Sequence, residues 1–300
     1  MAEHNKRSPR RLTVISGKGG TGKTTLTGGL AALAQNAVLA DCDVDAANLH
    51  LLLAPEINKR ERFFAGYKAV LNPQVCTACG KCVEMCRFHA ISMPRENAPP
   101  VIDALACEGC GVCHDICPVG AITLKDADCG ELYESETRFG PMVHAELGVG
   151  GEMSGKLVTA VRNRADEIAQ ENGAELVLID GSPGLGCPVI ASLTGVDVAL
   201  VVAEPSVSGF HDLGRVLDLC KHFGIDTTVV VNKCDINPDV TAQIKSSCSA
   251  SRVEVSGEIP FDNDFTKAML AGKTIIEYNN SPLADLFREI WMRVKDLLTA

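Results

Sequence analysis

The sequence predicts an α/β protein: a doubly wound, mostly parallel sheet interrupted by a small inserted α+β domain. Two observations carry that expectation. Short, almost wholly apolar runs alternate with helix-like segments towards both ends of the chain, and parallel strands covered on both faces have this pattern. Between them, eight of the 14 cysteines crowd into the stretch from Cys76 to Cys117, where prolines recur and no long amphipathic helix can be traced.

Composition sets outer limits. The 300 residues are 46% hydrophobic and 22% charged, enough apolar surface for a buried core, which excludes a disordered chain. Lys and Arg number 28 against 38 Asp and Glu, so no cationic surplus exists to neutralise a phosphate backbone and nucleic acid is not an expected partner. The N-terminal stretch MAEHNKRSPRR is basic, but the apolar run after it, Leu12 to Ile15, is too short for a signal-peptide core. The longest mainly apolar stretch, 187–203, is broken by Pro188, Gly195 and Asp197, which argues against a membrane span. A cytoplasmic, reducing location without a stable membrane anchor is expected, where clustered thiols imply metal rather than disulfides.

In chain order, Leu12–Ser16 is a β-branched strand, followed by a glycine-rich turn and a helix over about 23–35. Residues 37–41 form a second buried strand ending in carboxylates, and 45–53 reads as helical. After Pro55 the pattern changes, so residues 59–126 are assigned to the insertion, leaving 1–58 and 127–300 as one discontinuous domain. The acidic stretch 126–136 (DADCGELYESE) reads as a solvated linker. Strands are expected again at 175–180, 197–203, 227–232 and 252–257, with a closing helix at 282–298. That helix gathers Leu283, Leu286, Phe287, Ile290, Val294, Leu297 and Leu298 on one face, which core packing explains better than membrane binding.

Gly17-Lys-Gly-Gly-Thr-Gly-Lys-Thr24 fits G-x-x-x-x-G-K-[ST] between a strand and a helix. Gly17, Gly19, Gly20, Thr21 and Gly22 would curl the backbone so that N–H groups face phosphate oxygens at a helix N-terminus, with Thr25 on its first turn. Lys23 should reach the β- and γ-phosphates and Thr24 should ligate Mg²⁺. Asp180, closing the run Leu176–Ile179, would hold that ion through water. Asp41 and Asp43 end a strand at the carboxyl edge of the sheet, where ligands bind and a carboxylate can orient the attacking water. Helix capping is the other reading of these aspartates.

Lys18, right after the first glycine, completes a signature that resembles the deviant Walker A of the MinD/ParA/Mrp/nitrogenase-iron-protein group. Asp41-Cys-Asp43 with Asn48-Leu49 is similar to its switch I, and Asp180-Gly-Ser-Pro-Gly184 to its switch II with one extra residue before the proline. Asn232-Lys233-x-Asp235 resembles its adenine-binding strand end, and Glu258-Ile-Pro-Phe-Asp262 its lid over the base, placing Pro260 and Asp262 at the nucleotide. The resemblance implies a P-loop NTPase fold, Mg²⁺-dependent ATP hydrolysis, and two ATP molecules sandwiched between two subunits. It implies that Lys18 reaches the partner's phosphates and that Asp43 positions the hydrolytic water. The partner would be a second copy or a related ATPase.

Cys76-x2-Cys79-x2-Cys82-x3-Cys86 is repeated as Cys107-x2-Cys110-x2-Cys113-x3-Cys117. This is the bacterial ferredoxin run, in which the fourth cysteine of each run ligates the other cluster. One 4Fe–4S cluster would take Cys76, Cys79, Cys82 and Cys117, and the other Cys107, Cys110, Cys113 and Cys86. Arg87 stands where Pro118 follows in the second run. Paired zinc sites are the competing reading, but three cysteines at two-residue gaps do not suit zinc knuckles. Cys42, Cys129, Cys220, Cys234 and Cys248 lack ligand spacing and are expected to be packing thiols. Cys187, seven residues after Asp180, resembles in its offset a cluster ligand of the nitrogenase iron protein. The stretch 148–151 supplies no second cysteine, so a buried structural thiol is expected there too.

The chain is thus expected to couple ATP-dependent dimer switching to electron transfer through two 4Fe–4S clusters, with a redox or metallocofactor protein as partner. The alternatives are an Mrp-type carrier for cluster or metal-cofactor delivery, and a MinD-like positioning ATPase with redox sensing. No leftover pair of cysteines forms the exposed C-x-x-C that a carrier would use.

Overall fold

The computed structural model describes residues 8–148, 154–279 and 281–299; the basic N-terminal stretch up to Arg7 and residues 149–151 of the Gly-Val-Gly-Gly stretch lie outside them. The chain opens with β1 (Arg10–Ser16), α1 (Lys23–Leu33), β2 (Ala37–Asp41) and α2 (Leu49–Leu53). Then come β3 (Glu56–Leu71), α3 (Lys81–Met85), β4 (Ile91–Ser92), β5 (Val101–Ile102), α4 (Val112–Asp115) and β6 (Ile122–Thr137). Alternation resumes with β7 (Gly140–Leu147), α5 (Ser154–Asn172), β8 (Leu176–Pro183), α6 (Cys187–Leu193), β9 (Val198–Ala203) and α7 (Val207–Phe223). It continues through β10 (Asp226–Asn232), α8 (Pro238–Ala250) and β11 (Glu254–Ile259) to α9 (Asp264–Leu270), α10 (Ile275–Tyr278) and α11 (Pro282–Thr299).

The chain forms two compact units, one from Met1–Glu61, Glu131–Leu147 and Ser154–Ala300, the other from Arg62–Gly130 and Gly148–Met153. In the first, β11, β10, β9, β1, β8, β2 and β7 lie side by side in that order and run parallel. The chain moves from β1 to β2 on one side and later to β9 on the other, so the winding reverses beside β1. In such sheets the crevice at the carboxyl edge is the ligand position. Helices cover both faces: α1, α2 and α11 pack on one, α5, α6, α7 and α8 on the other. Strands β1, β2, β8 and β9 are buried almost throughout, which is why their sequences read as continuous apolar runs. On α1, a Cβ at Gly28 would meet Leu52 at 2.3 Å and one at Gly29 would meet Phe287 at 2.4 Å, so only glycine lets α2 and α11 approach. Leu283, Phe287, Ile290, Val294 and Leu298 of α11 belong to this core, with Leu286 and Leu297 packed against it. Among the described residues no helix is long and apolar enough to cross a membrane.

Two expectations fail here. The helix foreseen over 45–53 is only the single turn and a half of α2, because Asp41 spends its carboxylate on the loop before it. More consequentially, 126–136 is no linker: it lies inside β6, whose residues Ala127, Cys129, Tyr133, Ser135 and Thr137 are buried in alternation. The acids between them pair with bases on β3. Lys59 meets Glu134 at 3.1 Å, and Arg60 and Arg62 bond Glu131 and Asp128. Partners count down on one strand as they count up on the other, so β3 and β6 run antiparallel. The two-residue turn Arg138-Phe139 then joins β6 to β7 as a hairpin.

The second unit has its own small core of Ala69, Ala90, Ile91, Cys107, Cys113 and Ile122. β4 and β5 pair antiparallel, Ile91 opposite Ile102. Gly109 sits at φ +64° with its Cα against β3; a Cβ there would lie 2.0 Å from the Tyr67 carbonyl oxygen.

Candidate functional site

The loop from Gly17 to Gly22 leaves β1 and enters α1 at the carboxyl edge of the sheet. Gly22 adopts φ +92°, and a Cβ there would strike the Asn232 side-chain nitrogen at 2.3 Å. Instead that nitrogen donates to the Thr21 carbonyl at 2.7 Å, tying the end of β10 to the loop. The Thr21 hydroxyl, by contrast, is buried with no partner among the described residues. Asn232, Pro260 and Asp262 line one cavity of about 210 Å³ with Gly20, Gly22, Thr25, Phe261 and Phe265. Asp235 stands back from it, its carboxylate accepting the Phe261 N–H at 2.7 Å.

Beneath the loop, β2 and β8 pair with Asp41 opposite Asp180. Lys23 Nζ lies 2.9 Å from Asp180 Oδ1 and 3.5 Å from Asp43 Oδ2. Thr24 donates to Asp180 Oδ2 at 2.8 Å and Thr27 to Oδ1 at 2.8 Å. Asp41 turns away, accepting the N–H groups of Asp43 at 3.1 Å and Leu49 at 3.2 Å, so it also fixes the loop that carries Asp43. Two carboxylates thus share one buried ammonium, with Asp41 close behind them. Burial disfavours the charge on Lys23, yet Asp180 and Asp43 outweigh it and hold its pKa above the usual lysine value. Burial, with Asp180 beside it, pushes Asp41 up to about 8; burial also raises Asp43 against the pull of Lys23. A site with this surplus of oxygen donors and negative charge fits a hard divalent cation, and the orphaned Thr21 hydroxyl fits an oxyanion ligand in the loop. At the end of β8, Gly184 N–H donates to the Ser16 carbonyl at 2.9 Å, and Ser182 donates to the Cys42 carbonyl at 2.6 Å, linking β8 to the residue after β2.

In the second unit, one cavity is lined by Cys76, Cys79, Cys82 and Cys117, and another by Cys86, Cys107, Cys110 and Cys113. The first also touches Leu71, Pro118 and Ile122, the second Ala69, Phe88 and Ile91. Backbone N–H groups of Ala78 and Ala121 donate to the sulfurs of Cys76 at 3.4 Å and Cys117 at 3.2 Å. Among the described residues no three His, Cys, Asp or Glu side chains converge on a single metal ion. A cubane is ligated at its corners, so its thiolates stand wider apart than ligands sharing one ion. Cys42, Cys129, Cys220 and Cys248 are buried as expected and Cys234 partly so, but Cys187 is exposed. It opens α6, with Pro188 beside it, at a helix end and not on the packed face.

A family profile for the CobQ/CobB/MinD/ParA nucleotide binding domain matches residues 12–275. The chain belongs to this family. It is 35% identical over 293 residues to an uncharacterized protein of Methanocaldococcus jannaschii, covering 96% of this chain and 97% of that one. An uncharacterized ATP-binding protein of the same organism is 26% identical over 287 residues, covering 93% and 85%. Among solved structures, the cell division ATPase MinD of Pyrococcus furiosus matches with a TM-score of 0.56 at 19% identity, over 96% of this chain and 99% of that one. The septum site-determining protein MinD of Pyrococcus horikoshii OT3, complexed with Mg-ADP, gives 0.57 at 18% identity over 96% and 97%. At those identities the likeness shows a shared fold, that of a MinD/ParA-type P-loop ATPase.

In this MinD/ParA family member, motif reading missed Thr27 and Glu204. Thr27 lies one helical turn beyond Lys23, and donates to the Lys23 carbonyl as well as to Asp180; its i+4 spacing from Lys23 was the available signal. Glu204 follows β9 and binds Lys18 at 3.0 Å and Lys233 at 3.1 Å. A single carboxylate after an apolar strand carries no spacing that marks it.

Proposed function

We propose that this chain hydrolyses Mg-ATP and couples nucleotide-dependent pairing with a second copy, or a related ATPase, to electron transfer through two 4Fe–4S clusters in its inserted unit. The observation that carries the reading is the pair of cavities, each lined by a complete set of three clustered cysteines and one from the other run. Eight thiols beside apolar side chains, with backbone N–H groups aimed at the sulfurs of Cys76 and Cys117, are a donor set suited to such clusters.

At the nucleotide, Lys23 would leave Asp43 and Asp180 for the phosphates, and the loop N–H groups with the Thr21 hydroxyl would take the oxygens. Thr24 and Asp180, with Asp41 behind them, would hold Mg²⁺, which supplies charge neutralisation across the phosphates. Asp43, released from Lys23, would be free to orient the attacking water. Asn232, Pro260 and Asp262 would enclose the base. Cluster sets Cys76, Cys79, Cys82, Cys117 and Cys107, Cys110, Cys113, Cys86 would be held too firmly for a carrier that surrenders its cargo. The MinD-like positioning alternative draws on the shared MinD fold.

Anaerobically prepared protein should carry two cubanes' worth of iron and sulfide, and Cys76→Ala and Cys107→Ala should each remove one cluster's spectroscopic signal. Stoichiometric zinc without sulfide would refute the ligand sets. Redox titration of wild type and Lys18→Ala, with ADP and with a non-hydrolysable ATP analogue, tests the coupling. The analogue should shift at least one cluster's potential in wild type only. Identical potentials in all four samples would remove coupling and leave the positioning reading ahead.

A further inference from the structure

Glu204 stands where the end of β9 meets the phosphate loop. β9 pairs with β1, Val201 opposite Ile15, and with β10, Ala203 opposite Val231, so the backbone leading to Glu204 is fixed from both sides. The turn beyond is equally tight. Ser206 N–H donates to the Glu204 carbonyl at 2.8 Å, and a Cβ on Gly209 would fall 2.4 Å from that carbonyl oxygen. From this anchored position the carboxylate splits its oxygens between two lysines: Oε1 to Lys18 at 3.0 Å, Oε2 to Lys233 at 3.1 Å. Lys18 donates further to Ser206 Oγ at 3.0 Å, and Lys233 to the Gly20 carbonyl at 3.1 Å. Although burial opposes ionisation, the two lysines hold the Glu204 carboxyl below its usual range, so it is a full anion at neutral pH.

We propose that Glu204 is a positioning residue that parks Lys18 against its own chain and thereby sets the nucleotide concentration at which two chains pair. The proposal rests on the pairing reading given above, in which Lys18 reaches a partner's phosphates. Lys18 cannot serve Glu204 and another chain's phosphates together, so pairing must first break this ion pair. The lysine is 30% exposed and the carboxylate 21%, so the contact is a partly screened one: strong enough to bias Lys18 and weak enough for a polyphosphate to displace. The cost should shrink as salt rises.

Two measurements on the full chain test this. In the nucleotide-free protein, acylation of Lys18 by an amine-reactive ester, read by mass spectrometry, should rise several-fold in Glu204→Gln and less in Glu204→Asp. Labelling of the distant Lys245 serves as reference and should stay level. Sedimentation against a non-hydrolysable ATP analogue should then show Glu204→Gln pairing at a several-fold lower concentration than wild type, with Lys18→Ala abolishing the difference. Unchanged Lys18 labelling in Glu204→Gln would overturn the clamp. Raised labelling with weaker pairing would also overturn it, by showing that Glu204 is needed within the pair. Failure of wild type to pair with any nucleotide would overturn the threshold role and the pairing reading, while the labelling result would still decide whether Glu204 restrains Lys18.

Discussion

Thr21 buries a hydroxyl in the phosphate loop that has no partner among the described residues. An unsatisfied buried hydroxyl costs about 1–3 kcal/mol, and an apolar isostere removes that cost. Thr21→Val should therefore raise the melting temperature of the free protein while reducing the further rise produced by Mg-ATP; a lower melting temperature without nucleotide would show the hydroxyl to be satisfied. Lys23 and Asp43 separate differently. Lys23→Ala removes the ammonium that faces Asp180 and Asp43 and should abolish nucleotide binding measured calorimetrically. Asp43→Ala leaves the loop and Lys23 in place, so ATP should still bind while turnover falls about 100-fold or more, as expected when only the water is misaligned. Equal loss of affinity in both would make Asp43 structural. At this scale Lys23, Thr24 and Asp180 were legible because a motif fixes their spacing to the turn and to a strand end. Thr27 had only its helical spacing from Lys23 to mark it and Glu204 nothing, because what defines them is a partner 153 residues away for one and 186 for the other.

Strands divide in the same way. The parallel strands β1, β2, β8, β9 and β10 were readable because burial on both faces leaves an apolar run in the sequence. β3 and β6 were unreadable because β3 is exposed along most of its length and its charges find their partners only across the ladder, so Lys59, Arg60 and Glu134 look like solvated charge until both strands are known. β7 hides a second polar device. His144 is buried, hydrogen-bonded to Ser135 Oγ at 3.0 Å and stacked on the Tyr133 ring at 4.9 Å, with His50 on its other side at 6.0 Å. Burial, with His50 adding to it, lowers its pKa to about 4. Folding thus favours the neutral ring. Its contribution is present above the unfolded value near 6.5 and is lost as pH falls through the window towards 4, by up to about 3 kcal/mol. His144→Phe should flatten that acid limb in urea titrations at pH 7.5 and 4.5, and an unchanged difference between the two pH values would assign the limb to other groups.

For the molecule as a whole, the cysteines grouped by the repeat's spacing line two cavities, Cys76, Cys79, Cys82 and Cys117 in one and Cys86, Cys107, Cys110 and Cys113 in the other. The boundary between the two units falls inside strands and not in loops: Glu61 and Arg62 belong to different units, as do Gly130 and Glu131. The antiparallel pairing of β3 with β6 has a consequence for how such a gene is assembled. Arg60 bonds Glu131, so the two points at which the chain leaves and re-enters the nucleotide unit are neighbours across a ladder. Deleting 62–130 and joining Glu61 to Glu131 through an Asn-Gly turn asks only for an ordinary hairpin. The shortened protein should fold, hold no iron, and bind ATP with the affinity of the parent; loss of nucleotide binding would mean that the cysteine unit is required for the site to form. An open hairpin tip is a place where a module can be added without moving either strand beside it.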